Sequence, residues 1–255
     1  MKDEEFNLAR VEELYYRSIS GDEMAFSTFF SYSELAKIKL SLPGKISNFA
    51  FLYGGYGEAE RNLFFFFGDE TPDEEERIEK ANEVIHCYLI ELANPKYADP
   101  LTHSSVLGRL MAMGIKREML GDILVKEDKA VVFALAKIEK ELLDIDKVGK
   151  DNVKVSQIDF SDSPIVPEFE IRRITYESNR FDSILAATFR LSREEAKTYI
   201  DRGMAFLTSN PEPKATSKVN RGDHLSIKGV GKVVFIEEVG TSKKGKIVAE
   251  IKTFK

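Results

Sequence analysis

The sequence predicts an α+β protein of three small domains, at residues 1–77, 78–160 and 171–255, and three observations carry that reading. Helix-spaced and strand-spaced apolar patterns follow one another, the stretch from about 78 to 159 runs in the order β-α-β-β-α-β, and the charge changes sign after a Ser- and Pro-containing linker. A chain of 255 residues, 43% apolar and 31% charged, is long enough for several cores and too apolar to be mostly disordered. Its longest apolar run, Ala130 to Ala136, is seven residues. A bilayer span needs about 20, so no membrane partner is expected.

Helices open the first domain. Phe6, Ala9, Leu14 and Tyr15 approximate one helical face, and Phe26, Phe29 and Phe30 give a second apolar cluster after the break at Gly21-Asp22. Asn48 to Tyr53 and Leu63 to Phe67 are aromatic runs joined by Gly54-Gly55-Tyr56-Gly57, which predicts a strand pair. Phe64 to Phe67 cannot all face water. The acidic segment Asp69 to Glu76 marks the first boundary. In the second domain, strands are expected at Val84–Leu92, Asp122–Val125, Ala130–Ala134 and Val153–Ile158, with helices at Ser104–Met113 and Ala136–Ile145. This split βαβ order puts two helices on one sheet face and leaves the other free. RNA-reading sheets of this kind carry stacking aromatics there, and only Tyr88 and Phe133 are on offer, which favours protein packing.

After the linker Asp159 to Glu170 the balance reverses. Residues 180–255 hold 15 Lys and Arg against 9 Asp and Glu, whereas residues 1–179 hold 22 against 34. A basic quarter on an acidic body is the asymmetry of a module that meets phosphate. Phe181, Ile184, Leu185, Thr188 and Phe189 form one helical stripe, and Ser192-Arg193-Glu194-Glu195 is a capping box for a second helix ending near Gly203. Strands follow at Ala205–Thr208, Leu225–Lys228, Lys232–Val239 and Ile247–Phe254, broken at Asn210-Pro211 and at glycines.

Arg180-x-Asp182-x-x-Leu185, Ser192-Arg193-x-x-Ala196, Ile200, Gly203, Asn210, Lys218-Val219, Gly222-Asp223 and Gly229-x-Gly231-Lys232 resemble, over about 60 residues, the S-four RNA-binding domain. That resemblance implies RNA contacts at Arg180, Arg190, Ser192, Arg193, Lys197, Arg202, Asn210, Lys214 and Lys218. Helix amides and charge-assisted side chains suit phosphate, and shape would count for more than sequence. Upstream, Gly54-Gly55-Tyr56-Gly57-Glu58-Ala59-Glu60-Arg61 and Leu101-Thr102-His103 through Met113-Gly114-Ile115-Lys116-Arg117-Glu118 to Gly121-Asp122-Ile123 resemble the YlmH-type family, bacterial cytoplasmic proteins with a middle alpha-beta plait and a C-terminal S-four domain. The family resemblance implies a non-catalytic protein that docks on structured RNA, rRNA or tRNA of the large ribosomal subunit, in quality control of stalled nascent chains. It adds further RNA contacts at His103, Lys116 and Arg117. Where the family carries Arg-Asp after the histidine, this chain has Ser104-Ser105.

No catalytic residue, metal, cofactor or small-molecule substrate is expected. His86, His103, His224 and Cys87 lack any zinc spacing, and the glycine segment at 54–57 lacks the Lys-Ser/Thr ending of a phosphate loop. Glu58 and Glu60 around Arg61 suggest a structural ion pair. The lone cysteine and the acidic N-terminus fit the cytoplasm. Two rivals remain. An RNA-modifying enzyme, such as a pseudouridine synthase or methyltransferase, usually carries this module N-terminally, and a cell-division-linked adaptor would have no RNA affinity.

Overall fold

The computed structural model describes residues 2–21, 23–68, 72–210 and 212–254, with residues 2–4 and 254 described by backbone alone. Asp22, Asp69, Glu70, Thr71 and Pro211, each in an expected break, lie outside the described residues. The chain forms two compact units, Met1–Val166 and Pro167–Lys255, divided within the expected linker.

The first unit begins with α1 (Lys2–Gly21), β1 (Ala25–Phe26), α2 (Tyr32–Ser41), α3 (Gly44–Ser47), β2 (Phe51–Tyr53) and β3 (Leu63–Phe66). In α1 the buried positions are Val11, Leu14, Tyr15 and Ser18, spaced i, i+3, i+4, i+7, while Phe6 of the expected face stands in solvent. The cluster Phe26, Phe29 and Phe30 is no helix. Phe26 lies in β1, Phe30 bridges Asn62, and the helix comes afterwards, with the Glu34 carboxylate accepting from the Ser31 amide at 2.7 Å. The sheet order is β1-β3-β2, all antiparallel, so β3 is central. Successive strand residues face opposite ways. Phe64 and Phe66 therefore pack with α1 and α2, whereas Phe65 and Phe67 join a second core beneath the sheet.

That second core corrects an expectation. After α4 (Glu74–Asn82) come β4 (Ile85–Leu92), α5 (His103–Ala112), β5 (Leu120–Lys126), β6 (Lys129–Leu135), α6 (Glu139–Leu143), β7 (Lys147–Val148) and β8 (Asp151–Ile158), in an antiparallel sheet ordered β5-β6-β4-β8-β7. The β-α-β-β-α-β order holds, although a 3-10 turn at Ala136–Ile138 shortens the second helix. Tyr88, Ile90, Val132 and Ala134 pack with Val106 and Leu110 of α5 and Leu142 of α6. The opposite face, expected to be free, is covered. Ile85, Cys87, Val131, Phe133 and Leu135 share a core with Phe29, Tyr56, Leu63 and Phe65. The Tyr56 ring stacks on Phe133 at 4.9 Å, and a Cβ at Gly55 would overlap the Phe133 ring. Tyr88 and Phe133, at 0% and 1% exposure, cannot stack on bases.

The second unit runs β9 (Phe169–Tyr176), α7 (Phe181–Phe189), α8 (Arg193–Asp201), β10 (Ala205–Leu207), β11 (His224–Ile227), β12 (Gly231–Thr241) and β13 (Ile247–Phe254). Its antiparallel sheet has the order β10-β11-β12-β13-β9. Phe181, Ile184 and Leu185 of α7 and Ala196 and Ile200 of α8 bury against Ile174, Leu225, Phe235 and Ile251 of the sheet.

Candidate nucleic-acid interface

Two of the expected contacts of the second unit, Arg180 and Arg193, share one carboxylate. Asp182, in the first turn of α7, is 5% exposed. Its Oδ1 accepts from Arg180 Nε at 3.0 Å and from the Ser183 amide at 2.8 Å; its Oδ2 accepts from Arg180 Nη2 and Arg193 Nη2, both at 3.0 Å. Burial pushes the Asp182 carboxyl up, but the Arg180 and Arg193 bonds outweigh it and hold it below the ordinary carboxylate range. One buried anion thus fixes two half-exposed guanidinium groups at the starts of two consecutive helices. Arg193, expected as an RNA contact, thus also has a structural partner.

The chain from Lys214 to Val219 is tied to the same place. The Phe181 amide donates to Ser217 O at 2.8 Å and the Asp182 amide to Ala215 O at 3.1 Å, while Asn179 exchanges two bonds with the Val219 backbone. Exposed Lys214 and Lys218 thereby lie on a segment bonded to the start of α7, and exposed Lys197 is one turn beyond Arg193 on α8. Arg190 caps α7 with a left-handed φ of 56° and is exposed; Arg202 is exposed at the far end of α8.

Two of the expected RNA-contacting side chains have internal work. Ser192 Oγ accepts from the Glu195 amide at 3.2 Å, while Glu195 Oε2 accepts from the Ser192 amide at 2.8 Å. The Ser192 amide first, and then the Ser192 hydroxyl, which donates to the same Oε2 at 2.8 Å, keep the Glu195 carboxyl below its usual range. Asn210 Nδ2 donates to Ser217 Oγ at 3.2 Å and its Oδ1 accepts from the Glu212 amide at 3.1 Å, bracing the loop that carries Lys214.

In the first unit a bulge between Leu120 and Ile123 re-aims the buried Asp122 toward the glycine segment. Its carboxylate accepts from Tyr56 Oη and the Glu60 amide, both at 2.7 Å, and from the Arg61 amide at 3.0 Å. Burial raises the Asp122 carboxyl, and these bonds partly offset it. Arg61 donates to the carbonyls of Leu120 at 2.9 Å and Phe29 at 3.1 Å, and burial with the nearby Arg117 charge brings its guanidinium down to about 10. The two upstream motifs are therefore one hydrogen-bonded assembly. Arg117 is part of it, donating to Leu120 O at 2.9 Å and Gly121 O at 3.0 Å. His103, the first residue of α5, is exposed, and partial desolvation with the Arg117 charge lowers its pKa. Lys116 is exposed. Nothing in the sequence marked Asp122 or Asp182 as a hub; each is found through backbone amides and side chains far from it in the chain.

Among the described residues no helix is long and apolar enough to cross a membrane. Residues 81–162 match the sequence model described as "Putative RNA-binding domain in YlmH". The solved structure of the cell division protein ylmH from Streptococcus pneumoniae aligns with this chain at a TM-score of 0.48 and 17% identity, over 61% of this chain and 91% of that one. The chain is 31% identical over 198 residues to the ribosome-associated protein quality control protein P2 of Bacillus subtilis (strain 168), a match spanning 76% of this chain and 73% of the relative. A match of that identity and extent, with the domain match inside it, makes this chain a member of the YlmH-type family.

Proposed function

We propose that the protein is a non-catalytic RNA-binding protein that docks on structured rRNA or tRNA of the large ribosomal subunit in quality control of stalled nascent chains. One observation carries the reading: Arg180 and Arg193, at the starts of α7 and α8, are fixed by one buried carboxylate, and the segment bearing exposed Lys214 and Lys218 is bonded to the start of α7. Fixed guanidinium groups and exposed lysines suit a phosphate backbone, which positions a protein without reading sequence. The name of the Bacillus subtilis relative and the description of the matched domain support the ribosomal and RNA parts of this reading. In this reading the module is of the S-four kind, and the three expected segments at 1–77, 78–160 and 171–255 are its functional divisions. The matched segment 81–162 reaches RNA through His103 and Lys116 rather than through its sheet, whose second face is filled.

Crosslinking the full chain in cells and sequencing the attached RNA tests this. Large-subunit rRNA or tRNA should dominate. Recovery of no RNA would leave an adaptor, and a new pseudouridine or methyl mark on RNA incubated with the protein would make it an enzyme.

A further inference from the structure

We propose that the β12–β13 hairpin is a second phosphate-contacting arm, reading RNA by charge through Lys243 and Lys244; this rests on the RNA-binding reading of the second unit. From Glu238 through Lys246 every residue except Ser242 is exposed, whereas Val233, Phe235, Ala249 and Ile251 are buried at the base. The ribbon therefore projects from the core. Register shifts between Phe235 and Glu237 and between Glu238 and Gly240 bend it, as bulges do. Its tip is a formed turn: the Ser242 amide donates to Lys246 O at 2.7 Å, the Gly245 amide to Ser242 O at 2.9 Å, and the Lys246 amide to Ser242 Oγ at 3.0 Å.

The charge is local, and two of the three lysines that carry it have no ion-pair partner among the described residues. Val239 to Ala249 contains three lysines and no carboxylate. Two of the flanking carboxylates are paired, Glu237 with Arg221 at 3.4 Å and Glu250 with Arg173 at 3.0 Å, while Glu238 accepts from Tyr176 Oη at 2.8 Å and keeps its charge. Lys246 reaches Glu177 at 3.6 Å. Among the described residues neither Lys243 nor Lys244 has an ion-pair partner. The tip offers no aromatic ring for stacking on a base and no Trp, Tyr or Arg anchor of the kind that dominates protein interfaces. Two flexible ammonium groups on a rigid turn suit phosphates, independent of sequence.

The test compares the full wild-type chain with K243A/K244A, K243R/K244R and K197A for binding to a stem-loop RNA over a range of salt. The alanine pair should bind roughly tenfold more weakly, with a log-log salt slope shallower by about 1.4–1.8, since each phosphate left unneutralised removes about 0.7–0.9. The arginine pair should bind like wild type, and all four should melt alike. Wild-type affinity and slope in the alanine pair, with K197A weakened, would overturn the arm alone. No binding by the wild type would overturn the RNA reading itself. Tighter binding of polyglutamate than of RNA, abolished in the alanine pair, would make the arm a protein-docking element instead.

Discussion

At the scale of single residues, Asp182, one of three aspartates buried among the described residues, gives the sharpest test of the second unit. Asp182 is 5% exposed and accepts four hydrogen bonds, so Asp182→Asn should destabilise the second unit by about 1.5–3 kcal/mol, the range for bonds to a charged group. Because its folded pKa is depressed, that contribution is complete above the unfolded carboxylate value near 4 and is lost as pH falls through the folded pKa. Thermal melts of wild type and variant should therefore stay apart above about pH 5 and converge as the pH falls from there through the folded pKa. A constant gap would remove the carboxylate from the account. Arg193→Ala gives up one of these bonds at a half-exposed site and should cost no more than about 1 kcal/mol. Lys197→Ala, at an ordinary surface position, should stay within about ±0.5 kcal/mol. Gly121 tests the first unit: a Cβ there would meet the Phe29 ring at 2.8 Å and Phe133 Cβ at 2.9 Å. Gly121→Ala should cost about 1–3 kcal/mol by overpacking, measured by urea denaturation.

At the scale of elements, what the sequence showed depended on whether a pattern was closed within its own segment. The stripe of α7 and the capping box of α8 are local, and both helices form where they were expected. β9 was missed because its apolar residues lie on both faces: Ile174 and Tyr176 are buried while Phe169 and Ile171 are exposed, so no alternation shows. α2 was hidden behind an aromatic cluster that belongs to β1 and its bridge. The covered sheet face was illegible because Phe29 and Tyr56, which fill it, precede it by many residues. Among the site residues, the cations were legible as cations, but the Asp182 carboxylate that arranges two of them was not. β9 also sets where the second unit can be cut. Phe169 and Glu170 pair with Phe254 and Thr253, so a fragment starting at Pro167 should show a cooperative melt, and one starting at Ile171 should melt lower. Equal melting would mean that the end of β9 adds nothing. Leu185→Ala, in the centre of the same core, should cost about 2–5 kcal/mol.

At the scale of the whole molecule, the charge split gives the account its physical content. The net charge of −6 would discourage RNA binding were it spread evenly, yet the acidic excess lies before residue 180 and the basic excess after it. Lys197, Lys214 and Lys218 are exposed, and the structure gives their ammonium groups no part in the core. Their removal is therefore the cleanest test of the central claim that the helix starts of the second unit form a phosphate-binding surface. The measurement is the affinity of the full chain for ribosomal RNA as a function of salt, for wild type and for the triple variant Lys197→Ala, Lys214→Ala, Lys218→Ala. The account predicts unchanged melting, weaker binding and a log-log slope shallower by about 2.1–2.7, at about 0.7–0.9 for each phosphate left unneutralised; equal affinity and equal slope in a variant that melts like wild type would contradict it.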